Sequence, residues 1–424
     1  MNLIVNKTES LKGSIFIPGS KSHTIRAVVI ASMSDGVSYL HNPLKSFDTK
    51  AALNACESLG AVIEEKDNLW IIKGTGGKLN KPLKTLDMMN SGTSLNLVTG
   101  ISSLADFEVT LDGDESLRKR PMQSLIKSLT DLGVLAETFN DEGLPPIKIK
   151  GPVKGGKTVI NGLNSQYVSS LLICLPLAKN DTEIFVEDLH EVPYVKITLN
   201  WLNEQNIKYE SKKDLSWFKI YGNQKYKPFD KNIPSDWSSA AFPICAGLIT
   251  KSDIIIKGPD INDVQGDKGI LKLLEKMGAQ ITVSNDDINV KGSRLKGCVI
   301  DLNAMPDALP VMSVIGCIAE GETIIINVAQ ARIKETDRIK VMTEELKKMG
   351  ADVKELPDGM KIKKSKLKGA GLNGHHDHRV IMALSLAGLT SQGETVIDTA
   401  ESVGVTFPDY IKKMQKIGAN FKLV

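Results

Sequence analysis

Small hydroxyls, amides and cations recur beside turns in this chain, each group standing just ahead of an apolar run. Near the N-terminus, "PGSKSHTIRA" sets Lys21, Ser22 and Arg26 around a Pro-Gly turn. "NSGTSLN" supplies Asn90 and Gly92, whose missing Cβ lets a ligand approach free backbone N–H groups. "LRKRPM" carries Arg120 to the edge of Pro121, and "NSQYVSSLL" places Asn164, Ser165 and Gln166 before an apolar helix. "RIKETDRI" holds Lys334, Glu335 and Arg338. Read as helix, Lys334 and Arg338 share a face and Glu335 lies three residues before Arg338. "HHDHR" brings Asp377, His378 and Arg379 to the start of "VIMALSLAGL". Cations and N–H donors gathered at helix starts are what binding a small anion requires. Each piece also has a plainer use: Ser and Asn cap helices, and Glu335 with Arg338 fits a solvated pair.

The elements that must position these residues repeat. A helix end, a glycine and a hairpin read "SLGAVIEEKDNLWIIKG", "DLGVLAETFNDEGLPPIKIKG", "KMGAQITVSNDDINVKG", "KMGADVKELPDGMKIKK" and "KIGANFKLV". "EQNIKYESKKDLSWFKIYG" is a degenerate copy. The markers Gly60, Gly133, Asn206, Gly278, Gly350 and Gly418 recur every 68 to 73 residues. Between them runs a second series of apolar helix, polar turn and β-branched strand, as in "VIGCIAEGETIIINV". Glycine after a helix fits a left-handed C-cap, and the alternation that follows fits a hairpin. Six copies in register predict an α/β protein of two domains, three repeated units in each. The last copy ends at Val424 without its return strand, which "NLIVN" near the N-terminus can supply. This predicts a discontinuous domain of residues 1–17 and 229–424 and a continuous one of 18–228, divided near the Pro- and Lys-rich stretch "YGNQKYKPFDKNIPSD".

Composition narrows the class. A net charge of +3, with Lys and Arg spread along the chain, disfavours a nucleic-acid-binding arm but permits a local basic cleft. No long apolar segment follows Met1, so neither signal peptide nor membrane helix is expected and the cytoplasm is the default compartment. The five cysteines are scattered with no CxxC pair, which reads as buried thiols. "HHDHR" has no second ligand cluster, so no metal site is expected. "GPVKGGKT", residues 151–158, meets the spacing of a phosphate-binding P-loop. Its Lys-Thr leads into the strand-like "VINGLNSQ" instead of a helix, which removes the nucleotide triphosphatase reading.

Taken in order, "PGSKS" with Arg26, "NSGT", "LRKRPM", "SQYVSSLL", "PYVKIT", "DWSSAAF", "MPDAL", "KETDR", "DHR" and "TFPDY" resemble the enolpyruvyl transferases over the whole chain. Within that family they resemble the branch acting on shikimate 3-phosphate. The branch acting on UDP-N-acetylglucosamine matches less well, and the loop "DGDESLRKRP" lacks the cysteine many of its members carry. The resemblance implies an inside-out α/β barrel in each of two domains, three repeats apiece and six in all, with the active site in the cleft between them. It implies a transferase moving the enolpyruvyl group of phosphoenolpyruvate to the 5-hydroxyl of shikimate 3-phosphate and releasing phosphate. It implies two small-molecule substrates, no metal or organic cofactor, no nucleic acid or membrane partner, and a monomer.

By the same resemblance Lys21, Asn90, Gly92, Arg120, Gln166, Arg338 and Arg379 bind phosphoenolpyruvate. Lys21, Ser22, Arg26, Asn164, Ser165, Gln166, Tyr194, Asp307, Gln330 and Lys334 fall where shikimate 3-phosphate is bound. Asp307 is the implied base at the attacking hydroxyl; Glu335, with Lys21 nearby, is the implied proton relay to carbon. The acceptor side departs from the pattern. "EVPY" puts Glu191 where many members hold the 3-phosphate with a serine, and Val192 where a cation is common. Asn164 replaces a common serine, Gln330 a common asparagine, and Asn96 a common arginine; Val405 stands where some members have a lysine. Two alternatives therefore stay open: transfer to a different hydroxylated acceptor, and a non-catalytic binding protein of the same fold.

Overall fold

The computed structural model describes residues 1–139, 142–284 and 287–424. Its helices are α1 (Lys21–Met33), α2 (Phe47–Ser58), α3 (Gly92–Ser102), α4 (Gln123–Asp131), α5 (Ser165–Cys174) and α6 (Val192–Glu204). They continue with α7 (Trp237–Ile249), α8 (Ile270–Lys276), α9 (Leu309–Ile318), α10 (Arg338–Lys348), α11 (His378–Thr390) and α12 (Tyr410–Lys416). Short strands between them form six four-stranded sheets of one pattern. In one, Leu86–Asp87 runs parallel to Val109–Asp112, which pairs antiparallel with Ile147–Lys150, itself paired with Leu135–Thr138. The parallel pair needs a crossover, and α3 is that crossover.

The hydrophobic pattern decides which helices lie inside. α1, α3, α5, α7, α9 and α11 are mostly apolar and buried along nearly their whole length. α2, α4, α6, α8, α10 and α12 bury one face and leave the other to solvent. After each of these outer helices the chain must turn sharply into its hairpin. All six marker residues have positive φ: 110° at Gly60, 85° at Gly133, 56° at Asn206, 97° at Gly278, 83° at Gly350 and 102° at Gly418. Asn206 is the degenerate copy because asparagine is one of the few other residues that visits this region at low cost. Residues 140–141 and 285–286, expected in two of the hairpin turns, lie outside the described residues. The P-loop look-alike runs into the strand Gly156–Asn161, parallel to Thr182–Glu187.

The chain forms two compact units, one of residues 1–18 and 234–424 and the other of 19–233. Two strands are exchanged at the joints. Lys12–Phe16 precedes α1 yet pairs with Asp253–Lys257 in the first unit. Asp230–Asn232 precedes α7 yet pairs with Val37–His41 in the second. That second pairing draws the chain as far as Ile233 into the second unit. The divisions therefore fall after Pro18 and Ile233, against the 17 and 228 read from composition. Among the described residues no helix is long and apolar enough to cross a membrane.

The strand Leu3–Val5 lies between Thr395–Ile397 and Phe421–Leu423, antiparallel to both. It occupies the position that the hairpin's second strand takes in the other sheets. Leu3 and Val5 are fully buried while Ile4 faces the partly exposed side. Leu3→Ala is expected to lower the unfolding free energy by about 2–5 kcal/mol, and Ile4→Ala by less than about half as much. Urea denaturation of both variants checks this, and equal losses would contradict the assigned register.

Candidate active site

The residues singled out in the sequence collect at the N-terminal ends of the buried helices, where unpaired N–H groups and the helix dipole favour anions. In the second unit, Lys21 opens α1, Gly92 opens α3 and Ser165 opens α5. Lys21 Nζ lies 3.0 Å from Asp48 Oδ2, near the start of α2. A Cβ on Gly92 would come within 2.9 Å of Arg120 Nη1 and 3.6 Å of Gln166 Oε1. Glycine here lets α3 begin directly against both side chains. Arg120 donates from Nη2 to Asn90 Oδ1, and Asn90 donates in turn to Asp114 at 2.7 Å. Arg120 Nε is buried with no hydrogen-bond partner among the described residues. Gln166 donates to Thr93 Oγ1 at 3.0 Å and accepts from Asn96 Nδ2 at 2.9 Å. Asn96, also bonded to Gly92 O at 2.8 Å, is thus a brace between α3 and α5. Arg118 of the same basic run turns away to Asp112 and is half exposed.

Arg26 is placed differently from its neighbours. Its guanidinium is buried and donates to Thr198 Oγ1 at 2.8 Å, Ser169 Oγ at 3.2 Å, Tyr194 O at 3.1 Å and Ser22 O at 3.0 Å. It ties α1 to α5 and α6. Burial brings it down to about 10, with Tyr194 opposing the shift. Asn164 is the N-cap of α5 and accepts from Gln166 N at 3.0 Å. Ser165 Oγ donates to Glu191 Oε2 at 2.8 Å, and both residues are buried.

In the first unit the site residues share one guanidinium. Arg338, fully buried, donates from Nε to Asp377 Oδ2 at 2.7 Å and from Nη1 to Asp307 Oδ1 at 2.8 Å. Its Nη2 donates to Glu335 Oε2 at 2.6 Å and to Asp377 Oδ1 at 3.2 Å. The other oxygen of Asp307 meets Arg379 Nη2 at 2.9 Å. Asp377 caps α11, accepting from Arg379 N at 2.9 Å. Lys334 and Arg338 do not share a helix. Asp337 accepts from Lys340 N and starts α10 only at Arg338, so Lys334 and Glu335 stand in the connection before it. Gln330 is buried, donates to Asn303 O at 3.0 Å and keeps Oε1 without a partner among the described residues.

These charges set opposite tendencies in two buried acids. Burial pushes the Asp307 carboxyl up, but Arg379, Arg338 and Lys334 outweigh it and hold it well below the usual carboxylate range. Asp267, in the short helix Gly266–Gly269, is pushed up by burial, then by the Asp307 charge, against Arg379 and a hydrogen bond with Ser238, and reaches about 7. Neither Asp267 nor Asp48 stands out in the sequence. "VQGDKG" and "SFDTK" read as loop and helix start, and only the fold puts a cation beside each. Among the described residues there is no group of three His, Cys, Asp or Glu side chains able to hold a metal.

The chain is similar to known proteins over its whole length. A family model described as EPSP synthase (3-phosphoshikimate 1-carboxyvinyltransferase) matches residues 5–414. A 3-phosphoshikimate 1-carboxyvinyltransferase from Acetivibrio thermocellus is 46% identical over 420 residues, 99% of each chain. One from Methanocaldococcus jannaschii is 44% identical over 99% of each chain. The solved structure of an EPSP synthase from Acinetobacter baumannii superposes with a TM-score of 0.84 at 29% identity, covering 99% of both chains.

The raised Asp267 has a consequence for stability. Unfolded, its carboxyl loses its proton near pH 4, whereas folded it keeps the proton up to about 7. Its contribution is complete below pH 4 and is lost as pH rises toward 7. The depressed Asp307 works the other way, with a contribution present above about pH 4 and lost only below it. The stability of the wild type minus that of Asp267→Asn should therefore fall by on the order of 1–3 kcal/mol between pH 4 and 7. Denaturant titrations of both proteins across that range check it; a constant difference would contradict the assignment.

Proposed function

We infer the activity from one premise, that this chain belongs to the EPSP synthase (3-phosphoshikimate 1-carboxyvinyltransferase) family. It transfers the enolpyruvyl group of phosphoenolpyruvate to the 5-hydroxyl of shikimate 3-phosphate. The observation that carries the mechanism is the sharing of Arg338 by Asp307 and Glu335, at 2.8 and 2.6 Å. The reaction needs two proton movements, one from the attacking hydroxyl and one onto the methylene carbon. Two carboxylates fixed on one cation supply a pair of proton-handling groups with set separation.

Phosphoenolpyruvate brings a carboxylate and a phosphate, and we propose that cations of both units neutralise them. Lys21 and Arg120, with Asn90, Gln166 and the N–H of Gly92, act from the second unit; Arg379 and Arg338 act from the first. Asp307 takes the proton of the 5-hydroxyl as its oxygen bonds to C2 of phosphoenolpyruvate. Glu335 protonates C3, giving a tetrahedral adduct with a methyl group. The C2–O bond to phosphate then breaks, Glu335 takes back one methyl proton as the double bond re-forms, and phosphate leaves with the proton held by Asp307. Arg379 is the device that times the base. While it sits on Asp307 the carboxylate is a weak base, and an incoming substrate anion that draws Arg379 off raises its proton affinity. Ser22, Ser165, Tyr194, Gln330 and Lys334 complete the acceptor site. One chain supplies every group this requires, which fits a monomer working in the cytoplasm.

Phosphate release from phosphoenolpyruvate tests the reading. Release is expected with shikimate 3-phosphate and not with unrelated alcohols; release with another alcohol alone would overturn the acceptor, and none with any acceptor would leave a binding protein. Asp307→Asn is expected to lower kcat by roughly 10²–10⁴ while acceptor binding persists by calorimetry. An unchanged kcat would remove Asp307 as the base.

A further inference from the structure

Between the strand Gly371–Leu372 and the Asp377 cap of α11 the chain turns through "NGHH". Both histidines of this turn are left-handed, with φ 53° at His375 and 52° at His376. That backbone is unfavourable for a residue carrying a Cβ and persists only where the surroundings enforce it. Here each backbone N–H from 373 to 377 is held. Asn373 N donates to Glu345 Oε2 at 3.0 Å, Gly374 N to Asp398 Oδ1 at 2.7 Å and His375 N to Asn373 Oδ1 at 2.6 Å. His376 N donates to Thr399 Oγ1 at 3.3 Å, and Asp377 N to Gly374 O at 3.0 Å. A Cβ on Gly374 would come within 2.5 Å of Ile381 Cγ1 and of Thr399 Oγ1, so the turn lies directly against α11. Its anchor is Glu345 of α10, a carboxylate only 1% exposed. Besides Asn373 N, Glu345 accepts from His375 Nε2 at 3.1 Å and from Lys348 Nζ at 2.8 and 2.9 Å. Burial pushes the Glu345 carboxyl up, but His375, Lys348 and Asn373 N outweigh this and lower it. An ionised carboxylate only accepts, so His375 Nε2 carries the proton between them.

We propose that His375 and Glu345 are positioning residues for the transfer: by holding the strained turn they set where Asp377 and Arg379 stand against Asp307. The proposal rests on the reading above that Arg379 binds phosphoenolpyruvate. Asp377, at the end of the turn, accepts from Arg338 Nε on one oxygen and caps α11 with the other. Arg379 follows two residues later, and its Nη2 meets Asp307 Oδ2 at 2.9 Å. A turn released from Glu345 can relax its left-handed residues, and that relaxation moves Asp377 and the start of α11 together. A guanidinium displaced by about 1 Å no longer grips a planar anion with two N–H groups, which weakens binding while the fold stays intact. His375 can be removed without stranding Glu345, because Lys348 still pairs with both of its oxygens.

The test is steady-state phosphate release by the full chain carrying His375→Gly, His375→Gln or Arg379→Lys, with urea denaturation of each. Glycine removes the anchor and relieves the left-handed strain, whereas glutamine sets an amide N–H where Nε2 was and keeps the bond to Glu345. His375→Gly should raise KM for phosphoenolpyruvate about tenfold, leave KM for shikimate 3-phosphate within about twofold of the wild type, and change the urea midpoint little. His375→Gln should raise KM for phosphoenolpyruvate less than about threefold. A merely structural role would lower kcat and the urea midpoint together with both KM values unchanged, and that result would overturn the proposal. So would a KM for phosphoenolpyruvate that is unchanged in His375→Gly, or raised equally by glycine and glutamine. Arg379→Lys keeps the charge, loses the fork and should raise the same KM at least as much. An unchanged value there would overturn the reading of Arg379 instead, and a wild-type chain that releases no phosphate would overturn the activity itself.

Discussion

The site of the first unit hangs on one buried cation. Arg338 is shut off from solvent and faces Asp377, Asp307 and Glu335, so removing the guanidinium would leave three acids short of their shared cation. Breaking a buried pair by deleting one partner costs about 3–5 kcal/mol, because the charge left behind has no compensation. That constraint positions as well as stabilises. Arg338 opens α10, Asp377 caps α11 and Asp307 lies just before α9. The guanidinium therefore locks three helix starts to one another. Arg379, next but one after the cap, is then delivered to the second oxygen of Asp307. Donors held in place before substrate arrives need little reorganisation during the reaction.

The second unit reaches an anion-ready state by other means. Its inner helices begin on Lys21, Gly92 and Ser165, and the groups around them are bridged by neutral amides more than by acids. Asn90, Asn96 and Gln166 fix Arg120 and the start of α3 without consuming the charge of Arg120. Asp48 steadies Lys21. The contrast follows from the chemistry proposed for each side: carboxylates that move protons need cations to keep them ionised, whereas donors that only hold anions need rigid neutral supports.

The repeat was legible because its signals are local. A glycine after a helix and an alternating hairpin both depend on a few neighbouring residues, and each marker residue does adopt positive φ. The helix starts were legible for the same reason, through Ser, Asn and Asp ahead of apolar runs. What depended on distant partners was hidden. Asp48 and Asp267 look like an ordinary helix-start acid and loop acid until folding sets Lys21 beside the first and brings Arg379 and Asp307 near the second. Arg26 reads as a ligand-facing cation, and its hydrogen bonds to Ser169 and Thr198, far along the chain, are contacts no spacing rule reveals. Helical spacing misread "KETDR", because the capping preference of Asp337 stops the helix short of Lys334. Glu191 stood out as a departure, but its hold on Ser165 is a contact no spacing rule reveals.

If Asp307 and Glu335, both held on Arg338, carry the two protons of the reaction, transfer proceeds through a transient methyl group. The isotope content of product formed in deuterium oxide reads this directly. NMR or mass spectrometry of 5-enolpyruvylshikimate 3-phosphate should find deuterium on its methylene carbon, since a solvent-derived deuteron joins two protons there before one of the three is lost. Glu335→Gln should depress product formation and deuterium incorporation together. Product made at the full rate with no deuterium on that carbon would contradict the account.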